Sequence, residues 1–164
     1  MKLVKLLVIL AACALAVPSF AQTKGAPTGA ANQADIQILR DKIKGDKKLL
    51  VSQNMTLTDA EAKGFWPVYD AYQKDLQAIN DKMLTTIKTY ADAYNKGPVA
   101  DDVAKKLVNE ALALDEEELK MKRSYVPKLE KVLPAAKAAR YMQIENKIRA
   151  VVKLELAANI PLVY

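Results

Sequence analysis

Residues 58 to 95 read TDAEAKGFWPVYDAYQKDLQAINDKMLTTIKTYADAYN, and this stretch decides the fold of the 164-residue chain. It begins with Thr58 and Glu61 at the spacing of a capping box, in which the threonine hydroxyl accepts from a backbone N–H and the glutamate reaches back. Apolar residues then recur at steps of three and four, which places them on one helix face. These are Phe65, Tyr69, Tyr72, Leu76, Ile79, Met83, Ile87, Tyr90 and Tyr94. The spacing predicts one amphipathic helix from Thr58 to Asn95, about 55 Å long.

A second long helix is predicted directly after a turn. Gly97 and Pro98 end the first helix, because glycine adopts the conformation of a helix C-terminus and proline cannot continue a helix. Asp101 or Asp102 then opens a helix whose apolar residues again recur at steps of three and four. They are Ala104, Leu107, Ala111, Leu114, Met121, Tyr125, Leu129 and Val132, and Glu118 interrupts them. A short connection between long helices predicts an antiparallel hairpin.

Each arm of this hairpin contains a proline. Pro67 and Pro127 each lie 30 residues from Gly97, and each removes a backbone hydrogen bond from its helix, which predicts a kink. Trp66 is placed at the first kink, where we interpret it as a packing anchor. The predicted fold class is therefore all-α, an elongated antiparallel hairpin of two long kinked helices with flanking N- and C-terminal helices.

The flanking helices are predicted from weaker signals. A helical pattern starts at Asp35, and Gly45 within it favours a bend or break because glycine costs about 1 kcal/mol relative to alanine. Pro134 suits the first position of a last helix that runs to about Ala158. The apolar tail 159–164 is expected to dock on the hairpin or on a partner chain.

The N-terminus predicts export. Residues 1–21 combine a basic start, an apolar segment and small residues before Gln22, the pattern of a signal peptide. An uncleaved anchor and lipidation at Cys13, whose context resembles a lipobox, are the alternatives. Of the processed forms, only the one lipidated at Cys13 would be attached to the membrane. Residues 22–34 are predicted to be a flexible lead-in, and residues 35–158 a single helical domain.

Composition argues against several classes of function. Cys13 is the only cysteine and histidine is absent, which removes thiolate sites, the commonest general base and the commonest transition-metal ligand. The formal charge of +6 is spread along the helices, whereas nucleic-acid binding favours a concentrated basic face. Residues 115–118 form an acidic run that we interpret as a salt-bridged face, with a carboxylate site for a hard cation as the alternative. No catalytic residue, cofactor site or metal site is predicted.

The residues Leu57-Thr58-Asp59-Ala60-Glu61, followed by Phe65, Tyr69 and Tyr72, resemble the periplasmic group named for an LTxxQ motif, which includes the Spy and CpxP chaperone-like proteins. Leu133-Pro134-Ala135-Ala136-Lys137 resembles a degenerate second copy. Glu61 and Lys137 replace the glutamine of the motif, and Pro134 replaces its threonine. The resemblance implies a helical cradle, often a dimer, that binds unfolded envelope proteins or dampens a stress-sensing kinase. Metal-binding members of the group use histidines that have no counterpart here.

The leading hypothesis is an exported, non-enzymatic helical binding protein, chaperone-like or regulatory in envelope stress, located in the periplasm if the source is Gram-negative. Its partners would be unfolded clients, an envelope protein or a second copy of the chain. The alternatives are a structural or adaptor coiled-coil protein of the envelope and a carboxylate-based divalent-metal binder. The candidate binding surface comprises Leu57, Thr58, Glu61, Phe65, Trp66, Tyr69, Tyr72, Leu133 and Lys137, although the aromatic members are favoured as core.

Overall fold

The structure is a computed structural model that describes residues 33–163, with side chains from residue 44 onward. Four helices and no strand occur within this range: α1 (Gln33–Asn54), α2 (Asp59–Tyr94), α3 (Asp101–Glu130) and α4 (Ala135–Asn159). The predicted all-helical class is confirmed, and α1 begins two residues before the predicted start at Asp35. The predicted signal peptide and residues 22–32 of the lead-in lie outside the described residues.

The chain divides into two compact units. The described part of the first comprises residues 33–56 and Tyr141–Asn159, and the second comprises Leu57–Arg140 with the C-terminal tail from Ile160. Helix α4 is continuous and contributes to both units. The single domain predicted for residues 35–158 stays a prediction.

The second unit is built on α2 packed against α3. The first half of the predicted α2 stripe is buried, from Phe65 to Ile79, whereas the remainder toward Gly97 is half-buried. Helix α3 contributes the buried residues Leu107, Glu118, Met121, Tyr125 and Leu129. Each large apolar side chain buried here contributes about 1.5–3 kcal/mol relative to exposure.

Local signals set the ends of α2. Thr58 is its N-cap with the complete capping box, and Asn95 is its C-cap. Gly97 follows with a φ of 127°, the only positive φ among the described residues. Glycine adopts this conformation without a steric penalty, so the predicted turn is confirmed.

Glu118 lies at the stripe position where an apolar residue was expected. It is 4% exposed, and Lys122 Nζ lies 2.6 Å from its Oε1. This ion pair is the favourable i,i+4 arrangement predicted from the acidic run. The lysine satisfies a carboxylate that burial would otherwise destabilise.

The first unit contains a second buried ion pair. Lys47 of α1 lies 2.8 Å from Glu145 of α4, with the side chains 13% and 2% exposed. Leu50, Val51, Met55 and Tyr141 are buried in the same unit. Lys47 therefore connects two helices that are distant in sequence.

The helix-breaking residues lie within continuous helices. Pro67 is inside α2, Pro127 is inside α3, and α1 continues through Gly45 without the predicted break. Among the described residues, no helix combines the length and apolar character needed to cross a membrane.

The C-terminal tail is anchored at one point of the second unit. Tyr90 Oη donates a hydrogen bond of 2.9 Å to the backbone oxygen of Pro161. Leu162, directly after this contact, is 89% exposed. The tail therefore contacts α2 through its backbone while its leucine side chain remains in solvent.

Candidate functional site: the paired helix N-termini

The candidate site begins at the capping box of α2. Glu61 N donates to Thr58 Oγ1 at 3.3 Å, and Thr58 N donates to Glu61 Oε2 at 2.7 Å. The two side chains thus satisfy backbone donors that the first turn of a helix leaves without partners. The carboxylate also lies at the positive end of the α2 dipole, where negative charge is stabilised.

Glu61 has a second partner at the N-terminus of α4. Lys137 Nζ donates to both carboxylate oxygens, at 2.8 Å to Oε1 and 2.6 Å to Oε2. Lys137 lies in the first turn of α4, where a positive charge opposes the helix dipole. The Glu61 carboxylate compensates for that charge and joins two helix N-termini.

This pairing changes the acidity of Glu61. The hydrogen bond from Lys137, followed by the one from the Thr58 backbone, lowers the pKa of Glu61 below its ordinary value of 4.5. Both partners favour the ionised carboxylate. The Glu61 side chain is 16% exposed and that of Lys137 is 30% exposed, so the pair retains access to solvent.

The connection between α3 and α4 also contacts α2 closely. A Cβ built on Gly64 would lie 3.0 Å from both Cβ and Cγ1 of Val132, which follows α3. Such distances are shorter than ordinary carbon–carbon contacts of about 3.5–4.0 Å. Gly64 therefore allows the second turn of α2 to approach this connection.

An aromatic cluster lies beside the ion pair along α2. The ring of Trp66 is 4.9 Å from that of Phe65 and 5.4 Å from that of Tyr69, with edge-on geometry in both pairs. Phe65 and Tyr69 are fully buried, while Trp66 is half-buried. Edge-to-face aromatic pairs add about 0.5–1.5 kcal/mol beyond burial of their area, so these rings stabilise the second unit.

Tyr72 belongs to a different contact. Its ring packs edge-on against Tyr125 of α3 at 5.1 Å, and Tyr125 Oη donates to Asp75 Oδ2 at 2.6 Å. Lys128 Nζ lies 4.0 Å above the Tyr125 ring. Burial, with the Asp75 carboxylate second, raises the pKa of Tyr125 to about 12.

The structure therefore separates the nine predicted site residues. Thr58, Glu61 and Lys137 form one bonded group, and Phe65, Trp66 and Tyr69 form the neighbouring ring cluster. Leu133 is buried, Leu57 is half-buried, and Tyr72 contacts Tyr125. The two positions where glutamine is replaced in the motif copies, Glu61 and Lys137, bind each other.

Sequence reasoning missed several contacts of this region. Glu61 and Lys137 are 76 residues apart, and Tyr125 and Asp75 are 50 apart. The only sequence signal for the first pair is that opposite charges occupy equivalent positions in the two motif copies. The apolar residues exposed on α3 were also missed, because the stripe of buried residues dominates the apolar pattern of that helix.

The described residues include many acidic side chains and an open depression on α3. No group of three or more Asp, Glu, His or Cys side chains converges among them in a way that could hold a metal ion. An open depression of about 520 Å³ lies along α3, lined by Asp102, Lys105, Lys106, Asn109, Glu110 and Ala113. Its lining comes from a single helix, which describes a surface and not an enclosed active site.

Comparisons with protein-family models, with characterised proteins and with solved structures found no match to this chain. The resemblance to the LTxxQ group therefore stays a prediction.

Proposed function

We propose that this protein is a non-enzymatic helical binding protein of the cell envelope that holds unfolded or partner proteins, chaperone-like or regulatory in envelope stress. The observation that carries the proposal is the number of large apolar side chains in contact with solvent. These are Leu49, Leu84, Val108, Leu112, Leu119, Val126, Leu154, Leu162 and Val163. Contiguous exposed apolar patches mark sites of protein–protein contact, and four of these side chains, Val108, Leu112, Leu119 and Val126, share one face of α3.

The internal contacts of the second unit support a hairpin as the scaffold. Asp75, early in α2, contacts Tyr125, late in α3. Farther along α2, Lys82 pairs with Glu117 at 2.7 Å, and Thr86 donates to Glu110 at 3.4 Å. The order runs forward on one helix and backward on the other. We infer that α2 and α3 are the antiparallel arms of an elongated hairpin, with kinks expected at the internal prolines.

The charge of the chain and its exposed apolar side chains support the binding of clients that have both acidic and apolar segments. Without Lys2 and Lys5 of the predicted signal peptide, 23 basic and 19 acidic residues leave a formal charge of +4. This charge attracts acidic segments, and the exposed leucines and valines offer apolar contact beside it. Attraction between exposed charges weakens as salt rises. We therefore expect binding of unfolded chains to have a salt-sensitive part and an apolar part that salt leaves in place. Export by residues 1–21 would bring the protein to such clients.

An aggregation assay tests this function. A chemically denatured client is diluted into buffer with the purified protein at several-fold molar excess, and light scattering is followed. We expect slower growth of scattering, with a smaller effect at high salt. Unchanged scattering at every ratio would contradict the proposal.

A double variant connects the assay to the exposed surface. Leu49 and Leu154 are 57% and 71% exposed, so Leu49→Ser with Leu154→Ser removes apolar area at little cost in packing. The matched control is Ala150→Ser with Ala157→Ser, which adds the same hydroxyls at exposed positions of α4. We expect the leucine variant to slow aggregation less than the control variant.

A structural or adaptor coiled-coil protein is the second candidate. It is favoured by the spacing of Leu112, Leu119 and Val126, which are exposed on α3 at intervals of seven residues, the repeat of a coiled-coil seam. An adaptor should co-purify with one defined partner and leave generic aggregation unchanged. The same light-scattering experiment therefore separates the two candidates.

A further inference from the structure

The apolar stripe of α2 is incompletely covered toward Gly97. Its first half is buried, whereas the residues that follow are half-buried: Met83, Ile87, Tyr90 and Tyr94. The ring centroids of Tyr90 and Tyr94 lie 5.7 Å apart. Each ring offers a large apolar face and a polar hydroxyl at its edge. We call this pair of rings the tyrosine shelf.

The C-terminal tail is bound at this shelf through its backbone. Tyr90 Oη donates to the backbone oxygen of Pro161 at 2.9 Å. From Ile160 onward the tail belongs to the second unit, together with α2 and α3. Residues 161–163 are neither helix nor turn, and Leu162 and Val163 are 89% and 56% exposed. Because both rings of the shelf also keep part of their surface in solvent, the tail does not fill the shelf.

The chemistry of this contact suits an extended segment that contains proline. A residue before proline avoids the helical conformation, and the proline ring fixes its own backbone angle, so Ile160 and Pro161 reach the shelf already extended. Segments of this kind make no internal hydrogen bonds and leave their carbonyl oxygens free to accept. A tyrosine hydroxyl beside an aromatic face supplies both a donor and apolar surface, as in the aromatic grooves that bind proline-rich segments.

We propose that the tyrosine shelf binds extended, proline-containing apolar segments of other proteins, and that the tail is an internal competitor that leaves before such a segment binds. The segment accepts the hydrogen bond of Tyr90 through the carbonyl of its proline and places apolar side chains on the exposed ring faces. This inference rests on the proposed function, because unfolded clients supply such segments. It assigns them to a site on α2, whereas the exposed apolar face described above lies on α3.

The tail competes at a high effective concentration. It follows α4 directly after Asn159, and a short tether gives an effective concentration on the order of 1 mM. The apparent affinity of an external segment is reduced by the fraction of chains in which the tail occupies the shelf. Loosening the tail should therefore strengthen the binding of an external segment without creating any new contact.

Peptide binding tests the site and the competitor. The probe is a fluorescein-labelled peptide with the sequence of residues 157–164, titrated with the full chain while fluorescence anisotropy is recorded. Ile160→Ser with Pro161→Gly loosens the internal tail and should tighten peptide binding about tenfold. Tyr90→Phe in that loosened background keeps the ring but removes the donor, and should weaken binding about fivefold. The matched control is Tyr94→Phe in the same background, which should change little.

Three outcomes of this titration would overturn the proposal. The first is no binding of the peptide to the loosened variant, and the second is no gain in affinity over the wild type. The third is an equal loss from Tyr90→Phe and Tyr94→Phe. A second peptide with alanine in place of its proline tests the ligand class, and it should bind several-fold more weakly because it has to be ordered on binding. Equal or tighter binding of the alanine peptide would overturn the assignment to proline-containing segments.

Release of the tail is measured independently with a nitroxide label. Val163→Cys in a Cys13→Ser background carries the label on the tail, and its electron paramagnetic resonance spectrum should show greater mobility when the proline peptide is added at saturation. The matched control is a label at Ala157→Cys, exposed on α4, whose mobility should stay constant. Unchanged mobility of the tail label would overturn the competition. Slower client aggregation without peptide binding would overturn this inference alone, because the apolar face of α3 would still support the proposed function.

Discussion

Two glycines within helices are expected to respond oppositely to the same substitution. A Cβ on Gly45 meets nothing within 4 Å, whereas one on Gly64 meets Val132 at 3.0 Å. Gly45→Ala should therefore raise the free energy of unfolding by up to about 1 kcal/mol through helix propensity. Gly64→Ala should lower it by about 1 kcal/mol or more, because Val132 has to move. Urea denaturation of both variants measures the difference. Equal stabilisation by both would show that Val132 shifts without cost.

The ion pair between Glu61 and Lys137 predicts that the stability of the fold decreases at acidic pH. The pKa of Glu61 is lower in the folded chain than its ordinary 4.5, so the carboxylate stabilises the fold above that value. This contribution is lost as pH falls through the lowered pKa. Glu61→Gln retains an oxygen for the Thr58 backbone N–H but removes the charge. It should reduce stability near pH 7 and flatten the decline in stability that the wild type shows as pH falls below the ordinary pKa of 4.5.

Denaturation at a series of pH values measures this effect. Glu117→Gln is the matched control, because Glu117 pairs with Lys82 at a solvent-exposed position, where ion pairs contribute little. A Glu61→Gln profile parallel to that of the wild type would contradict the interpretation.

The raised pKa of Tyr125 predicts that its contribution to the stability of the fold is lost at high pH. Its folded-state pKa of about 12 exceeds the ordinary value of 10.0. Its contribution to stability is therefore complete below pH 10 and is lost as pH rises through 12, since the unfolded chain ionises first. Absorbance of tyrosinate, recorded as wild type minus Tyr125→Phe, should rise near pH 12. A difference spectrum that rises near pH 10 would show that burial and the Asp75 carboxylate do not raise the pKa of this phenol.

At the scale of the helices, the sequence predicted the helix ends well, whereas it did not predict contacts between residues far apart in the chain. The ends of α2 were predicted within one residue, because the capping box and Gly97 act on their own turns. Of the bend or break predicted at Gly45, the break is wrong, because the helix is continuous from Gln33 to Asn54. A propensity cost of about 1 kcal/mol is small beside the burial of Leu50 and Val51 in the same helix. The pairing of Glu61 with Lys137 joins two helices and leaves no periodic signal in either.

The start of α2 gives a prediction at this scale. Thr58→Ala removes the hydroxyl that accepts from Glu61 N and should lower the free energy of unfolding by about 0.5–2 kcal/mol. Thr58→Ser retains the hydroxyl and should remain close to wild type. Thermal denaturation followed by circular dichroism compares the two variants. Similar losses from both would mean that the threonine methyl group, and not the cap, stabilises this end.

At the scale of the whole molecule, the continuity of α4 predicts how cooperatively the two units unfold. Because this helix is continuous and contributes to both units, we expect one unfolding transition. Trp66, the only tryptophan, reports on the second unit, and Glu145 lies in the first. Glu145→Ala leaves Lys47 buried without its carboxylate and should cost about 3 kcal/mol.

The measurement compares two probes of unfolding in this variant. Trp66 fluorescence and far-ultraviolet circular dichroism should shift together by the same denaturant concentration. The double variant Lys47→Met with Glu145→Leu should recover most of the loss, because apolar residues can replace a buried ion pair. A fluorescence transition that stays at the wild-type midpoint would mean that the units unfold separately, against the single domain predicted for residues 35–158.

The positive φ of Gly97 determines whether an L- or a D-amino acid suits this turn. Its φ of 127° is strained for an L-residue, yet a side chain there would meet nothing within 4 Å. Backbone handedness is thus the only obstacle to substitution, and a D-amino acid has the opposite preference. D-alanine, introduced at this position by chemical ligation, would suit the turn and reduce the freedom of the unfolded chain. At Gly97 the handedness of the backbone therefore favours a mirror-image residue over an L-residue.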